Sequence, residues 1–466
     1  MTSTTTATPL STGARRKLVL ALALPVIAEN LLEALMQVVD SYLVSGLGDE
    51  ALAGVGGALQ VLFFLLAVLG SLSIGVSVLV SQVFGAGDLP GVARLARQAL
   101  LLTAVLSVPV AILGYLLAGP VIGLFGMDAE VARIATSYLK VTMATIVVLV
   151  GLYTAGGVLR GIGDTRSPML ITALANVLNV VLAYALIHGS FGLPALGAVG
   201  SAWGTFIARA IALALMLALL VKGRNGVSIR GRGWRLGGDT SARIWKISAP
   251  AVLEQVLTSG AFLFLAAVIA HLGTASLAAH RVVQNAMSIF FLTGIGFSTA
   301  AMVLVGQSVG AQRIHDGVAA LRLATRWAVG ALAVQAVVVL VFAPQIMGLF
   351  ADDPSVIGPG ADALRMLALA QPFWAVLFVQ SAGVRGTGNT RWPLVVTGSG
   401  MVVMVLLSYL AMRAGGGLGL TWSTGLVVVP VVGALHWWRF RRTVADRPAP
   451  PAGATGPHPD TQEVSP

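Results

Sequence analysis

Long apolar runs alternate with short polar breaks along nearly the whole chain. Each run reaches the ~20 residues that an α-helix needs to cross a hydrocarbon core of about 30 Å. Twelve runs are read, at roughly 18–46, 52–82, 97–118, 131–157, 168–188, 196–221, 244–271, 275–305, 322–343, 356–381, 393–413 and 418–438. The pattern predicts an all-α polytopic membrane protein with twelve transmembrane helices. The tails, 1–14 and 439–466, lack the pattern and are expected to be disordered; the second is basic, then rich in Pro, Ala and Gly.

The first run breaks its own rule. LVLALALPVIAENLLEALMQVVDSYLVSG (18–46) carries Glu29, Glu33 and Asp40. Each carboxylate near the centre of a membrane helix costs roughly 2.5–3.5 kcal/mol on insertion scales. At 100° per residue, Glu33 lies about 40° from Glu29 and Asp40 about 20° from it, with Asn30 and Gln37 in the next ~60° of arc. One narrow polar face of this kind points into a protein interior or a watery cavity, not at lipid. The basic cluster before the run imitates a secretory signal. The apolar stretch continues with no small-residue cleavage site, so it reads as an uncleaved first membrane helix.

Composition agrees with the pattern. Charged residues are only 10% and mean hydropathy is +0.89, where a soluble domain has about 25% charged residues. With no cysteine, disulfides, thiol nucleophiles and thiolate metal sites are excluded. The net charge of +11 is not a nucleic-acid signal, because the basic residues are dispersed through short breaks. Most of the 29 basic residues fall in the tails, the even-numbered breaks with their adjoining helix starts, and the middle break. Arg133, Lys140, Arg365 and Arg413 fall on the other side, while Arg209 and Arg281 lie inside runs. The positive-inside rule then puts both termini in the cytoplasm, in a cell inner membrane.

The chain also repeats itself at an offset of 225 residues. Pro25 meets Pro250, Glu29 meets Glu254, Gln82 meets Gln307, and Gly85-Ala86 meets Gly310-Ala311. RGIGDTRSP (160–168) meets RGTGNTRWP (385–393), and Tyr184 meets Tyr409. Each repeat holds six runs, an even number, so the two insert the same way up, as a parallel pseudo-two-fold repeat. The expected organisation is a six-helix bundle over 15–221, a basic cytoplasmic linker over 222–242 and a second bundle over 243–438. Two such bundles suit alternating access around a site near mid-membrane.

Four acids lie deep in runs: Glu29, Glu33, Asp40 and Glu254. The seventh run repeats the polar face with Glu254, Gln255, Thr258 and Ser259, but Thr258 takes the place of Glu33 and Leu265 that of Asp40. Clustered carboxylates in a low dielectric cannot all ionise. An acid that exchanges protons and faces a cavity can trade a proton for a cationic substrate. Glu29 and Asp40 are about 16 Å apart along the helix axis, which implies a relay or two functions. Asn176 and Asn179 in the fifth run could hydrogen-bond Asp40 or serve as helix–helix glue. His280, at the head of the eighth run, and Asn285 join the candidate cavity lining; Lys140 and Arg365 read as interfacial anchors. The RGxGxTRxP breaks are turns, not phosphate loops, since no strand precedes them and no GK[ST] follows. No cofactor is implied, and energy should come from an H⁺ or Na⁺ gradient.

Taken together, VDSYLVSGLG (39–48), LRGIGDTRSP (159–168), NVLNVVL (176–182), LGTASLAAHRVVQN (272–285), GFSTAAMVLVGQSVGA (296–311) and VRGTGNTRWP (384–393) resemble the multidrug and toxic compound extrusion (MATE) family, closest to its DinF-like prokaryotic branch. The resemblance covers about 15–440. It implies a V-shaped pair of bundles that expels organic cations and amphiphilic drugs in exchange for H⁺ or Na⁺. Asp40 matches the family's first-helix ion-coupling aspartate and Asn179 its fifth-helix partner. Two departures stand out. Ala183 replaces an aspartate that many members have, and Thr258 replaces a seventh-helix glutamate, leaving Glu254 earlier on that helix. H⁺ is favoured over Na⁺ because few oxygen ligands are expected around Asp40. A monomeric proton-coupled exporter is the expectation. The rivals are a lipid-linked precursor flippase, which would want a basic cavity, and a passive channel. No enzyme activity is expected, for want of a nucleophile–base pair or metal ligands.

Overall fold

The computed structural model describes residues 12–231 and 234–446, apart from the side chains of Thr12, Phe64, Leu66, Ala67 and Val68. The expectations for 1–11, for Arg232 and for 447–466 therefore lie outside the described residues. The helices are α1 (Thr12–Ser45), α2 (Asp49–Gly85), α3 (Leu89–Gly123), α4 (Ala129–Ala144), α5 (Ile146–Gly161), α6 (Arg166–His188) and α7 (Ala198–Lys222). They continue with α8 (Gly238–Ala270), α9 (Thr274–Gly310), α10 (Ile314–Gly348), α11 (Pro354–Gly386), α12 (Arg391–Arg413) and α13 (Leu418–Ala445). Among the described residues ten helices are long and apolar enough to cross a membrane, and the bent pair α4–α5 adds one more. The 37-residue α2, four of whose side chains are undescribed, makes twelve. Helices are what a bilayer demands, because they satisfy every backbone group internally.

Several boundaries differ from the sequence reading. The fourth run, expected as one helix, is broken at Thr145, where α4 and α5 meet at 51°. No Pro or Gly lies there. Instead Thr145 Oγ1 donates to Val141 O at 2.9 Å and to Thr142 O at 3.2 Å, bonding back to the preceding turn where the ladder is interrupted. At the N-terminus, α1 already starts at Thr12, inside the expected 1–14 tail. The linker of 222–242 shortens because α8 begins at Gly238. At the far end α13 runs to Ala445, so 439–445 is helical where a disordered tail was expected. Arg439, Arg441 and Arg442 there lie over the rings of Trp392, Trp437 and Trp438, which holds the last turns in place.

The chain divides into two compact units that are not the two halves of the repeat. One comprises Pro25–Val80 and Val92–Ala261; the other comprises residues up to Leu24, Ser81–Gly91 and the chain from Phe262. Close contacts within each unit explain the displaced ends. Ser248, about three turns into α8, lies against Gly75 in the first unit, where a Cβ would collide with it. In the second, Arg15 bonds Asp316 at 3.0 Å. Also in the second, Gly85 sits on the backbone of Gln307 and Gly310 on the backbone of Gln82, leaving no room for a Cβ at either glycine. Those two contacts are repeat-equivalents of each other. Small residues let membrane helices approach this closely.

The first unit buries Val44, Val55, Ala58, Leu62, Leu72, Ile122, Leu139, Ile146 and Val150 as one apolar core. In the second unit α11 is central, with 72% of its most apolar window buried, whereas the repeat-equivalent pair α3 and α10 bury 17% and 22% of theirs. Exposed Leu113 and Leu116 on α3, and Val337 and Val341 on α10, are the sides that meet lipid.

The RGxGxTRxP breaks are matched turns. Gly163 and Gly388 have φ of 86° and 88°, a left-handed conformation that glycine adopts without strain. Asp164 Oδ1 accepts from Ser167 N at 3.0 Å, and Asn389 Oδ1 from Trp392 N at 3.1 Å. Only the first turn also carries an acid. Asp164 Oδ2 accepts from Ser167 Oγ at 2.6 Å and from Arg224 Nε at 2.5 Å, which clips the start of the linker to the turn. Asn225 adds a bond to Ile162 O at 3.0 Å. Burial pushes the Asp164 carboxyl up, but the Ser167 hydroxyl and amide and the Arg224 guanidinium outweigh it and hold the group below its ordinary value.

Two outcomes follow. Gly310→Val should lower Tm in detergent by roughly 5 °C or more through overpacking, while Gly330→Ala, which meets open space, should hold or raise it. For Asp164, a depressed carboxyl stabilises the folded state fully above the ordinary value near 3.9, and that stability is lost as pH falls through the lower folded value. Asp164→Asn should therefore lower Tm at pH 7, and the deficit should shrink as pH falls below the ordinary carboxylate value and the Asp164 carboxyl takes up its proton. A pH-independent deficit across a Tm series would refute the charge role.

Candidate functional site

The polar face of α1 meets two different environments, both inside the first unit. Near its start Glu29 is committed to a cation. Arg160 Nη1 lies 3.2 Å from both carboxylate oxygens, with the side chains 16% and 9% exposed. By its position in sequence Arg160 belongs to a cytoplasmic break; its guanidinium instead reaches the buried Glu29. Glu33, half-buried, shares the charge environment of Glu29, Arg160, Arg209 and the Tyr153 hydroxyl. Asn30 is half-buried, and its Nδ2 has no partner among the described residues.

Two turns further on, Asp40 is buried, and its partners are hydroxyls. Oδ1 accepts from Ser201 Oγ at 2.6 Å, and the Tyr138 hydroxyl lies against the same carboxylate. Among the described residues no ion pair includes Asp40. It lines a cavity with Met36 and Gln37 of α1, Leu62 and Phe63 of α2, Tyr138, Thr142 and Thr145 of the broken span, and Ala202, Thr205 and Arg209 of α7. The cavity is mostly greasy, with one acid and one guanidinium, and the broken span contributes Thr142 and Thr145 to its wall.

A stripe on α7 builds the far wall. Ser201, Thr205 and Arg209 are spaced i, i+4 and i+8, on one helical face. Gly200 and Gly204 bring that helix against α6, with Gly204 packed on the backbone of Ala183 and Gly200 on Leu186. Ala183, where an aspartate would have matched the family pattern, is fully buried in that contact. The stripe was readable in the sequence, as three polar residues in register on an otherwise apolar run.

Of the two readings of Asn179, the bond to Asp40 is not made: Asn179 Nδ2 donates to Thr205 Oγ1 at 2.7 Å, while Ser201, one turn earlier on α7, donates to the carboxylate. Asn176 Nδ2 donates to the backbone of Leu32 at 2.7 Å, a helix–helix tie. Glu254 is 4% exposed and sits in the same compact unit as the three α1 acids. Thr258 bonds back to Glu254 O at 2.9 Å and Gln255 to Ser259 Oγ at 3.2 Å, so both stay on α8. None of the three lines the Asp40 cavity. His280 is in the second unit, fully buried with its ring 5.5 Å from that of Trp422, and Asn285 is exposed. Neither belongs to the cavity.

The Glu29–Arg160 pair can be tested directly. Removing one partner leaves a buried charge uncompensated, a loss of about 3–5 kcal/mol, while removing both is far milder. Glu29→Gln and Arg160→Met should each lower Tm more than the double variant does. Additive losses in that cycle would mean that the pair is not coupled.

Comparison with known proteins bears on the whole chain. The MatE family model matches twice, over residues 25–185 and 250–410, separated by the same 225-residue offset. The chain is 30% identical over 449 residues to the probable multidrug resistance protein NorM of Burkholderia mallei, covering 91% of this chain and 92% of that one. It is 29% identical to the probable multidrug resistance protein NorM of Thermotoga maritima, covering 82% of each. Among solved structures, a MATE crystal structure in the bent conformation has a TM-score of 0.85 at 25% identity, covering 92% of this chain and 96% of that one. A MOP superfamily transporter from Pyrococcus furiosus has a TM-score of 0.86 at 24% identity, over the same shares, and shares the fold.

Proposed function

Because the chain belongs to the MatE family of membrane transporters, we propose that it exports cationic or amphiphilic small molecules by ion-coupled antiport, with Asp40 as the coupling residue. The observation that carries this reading is that Asp40 faces a largely apolar cavity and, among the described residues, has hydroxyl groups as its hydrogen-bond partners and no ion pair, while Glu29 is held by Arg160.

A carboxylate held by Ser201 and Tyr138 can lose and regain a proton without a counter-ion moving. When it is ionised, the two hydroxyls donate to it and a cation in the cavity gains a partner. When it takes a proton from outside, that partner is lost and the cation leaves. The greasy walls from Met36, Leu62 and Phe63 suit the apolar body of such a substrate. Arg209, on the cavity wall, limits how much positive charge the site accepts. Proton coupling is preferred to sodium coupling because Ser201 and Tyr138 supply only two neutral oxygens beside the carboxylate, and the Arg209 cation is near. The flippase alternative would need a basic cavity, and Asp40 opposes it. Glu33, next to Arg160 and Arg209, is placed for a relay towards Asp40. We further infer an inner-membrane monomer with both termini cytoplasmic, on the strength of the positive-inside distribution.

The test is efflux of a fluorescent organic cation from proteoliposomes. An imposed pH gradient should drive it, and Asp40→Asn should cut the rate at least about tenfold, while Ser201→Ala should shift its pH dependence. Normal pumping by Asp40→Asn would sink the coupling role. Efflux driven only by a sodium gradient would replace the coupling ion.

A further inference from the structure

Three arginines in the last turns of α13 carry no carboxylate partner among the described residues. Each lies over an indole instead. The distances to the ring centroid are 5.5 Å for Arg439 over Trp392, 4.8 Å for Arg441 over Trp437 and 4.2 Å for Arg442 over Trp438. Trp392 and Trp438 are themselves 5.9 Å apart, tilted by 37°. One patch where the start of α12 meets the end of α13 thus gathers Arg439 and Arg442 on the Trp392–Trp438 ring pair, while the Arg441–Trp437 stack lies on an adjoining face of α13. Arg391 beside it is exposed, and Asp446 is the one acid in the sequence from 418 to 446.

Stacking covers a guanidinium's face but leaves the planar N–H edge free to grip phosphate with two bonds. The patch also continues into an apolar lane. Val427, Val431 and Leu435 are exposed and share a helical face with Trp438 and Arg442, within about 80° of arc. An acyl chain can lie along that lane with its headgroup at the arginines. Tryptophans favour the headgroup level and juxtamembrane basic residues attract anionic lipid. The fold itself does not require the arrangement. The repeat-equivalents of 437, 438, 439, 441 and 442 are Ala212, Leu213, Ala214, Met216 and Leu217, and that of Trp392 is Ser167.

We propose that this patch is a binding site for the phosphate headgroup of an anionic phospholipid, with the Val427–Leu435 face as the bed for its chain. The site is independent of the transport cavity. Purified full-length protein in detergent is melted with added phosphatidylglycerol, with phosphatidylcholine, or with inorganic phosphate. Phosphatidylglycerol should raise Tm by at least about 3 °C more than phosphatidylcholine, by mass action on the folded state. Inorganic phosphate should do nothing. R439Q/R441Q/R442Q should lose most of that difference, and R439K/R441K/R442K, which keeps charge without the fork, should lose part of it. Native mass spectrometry should count one fewer retained phosphatidylglycerol on the glutamine variant, a readout independent of its basal Tm. An undiminished lipid gain in the glutamine variant overturns the site. A full gain in the lysine variant overturns guanidinium recognition, and an equal gain from inorganic phosphate makes it an ion site without a lipid.

Discussion

A carboxylate within a bilayer must find a buried cation or a watery cavity, and α1 carries three. The irregular features of the first unit answer that demand. Arg160 turns inward from the end of α5 to hold Glu29. The α7 stripe delivers Ser201 to Asp40, and it can do so because Gly200 and Gly204 let α7 press against α6. The break at Thr145 bends a span beside the cavity that Asp40 faces. Without the acids, each of these would be a needless departure from straight apolar helices.

Twelve spans and a gapless repeat were readable because hydropathy and register are properties of sequence alone. The polar face of α1 was readable for the same reason. Partner choice was not. Arg160 reads as a loop residue by position, yet its long stem lets the charge sit far from its Cα. Asn179 matched a family pattern, but its amide donates to Thr205, while Ser201, four residues earlier, donates to the carboxylate. The bend at Thr145 had no proline or glycine to announce it. The limits of the compact units depend on glycine contacts between segments distant in sequence, such as Gly310 on Gln82, which periodicity does not record.

The duplication was kept where backbones touch and abandoned where chemistry lies. Gly161 rests on Ser77 and Val80, and its equivalent Gly386 on Met302 and Val305, the equivalent residues. Gly163 and Gly388 have nearly the same φ. The Asp40 site has no such echo. Asp40, Tyr138, Ser201, Thr205 and Arg209 correspond to Leu265, Ala363, Leu426, Pro430 and Ala434. A duplicated scaffold in which only one repeat keeps this set concentrates the buried carboxylates in one unit, while α11 of the other buries the neutral polar side chains Gln371, Gln380 and Ser381.

Arginine partners follow depth. Where water is scarcest, Arg160 takes a carboxylate with both oxygens in reach, since nothing weaker offsets the loss of hydration. At the turn, Arg224 is 47% exposed and its pair with Asp164 fastens a loop. At the end of α13 the partners are indoles, which cover the cation's face without cancelling its charge. A carboxylate there would neutralise the patch and repel anionic headgroups, whereas an indole is itself at home between acyl chains and water. The same guanidinium thus neutralises, fastens or attracts, and the partner beside it decides which.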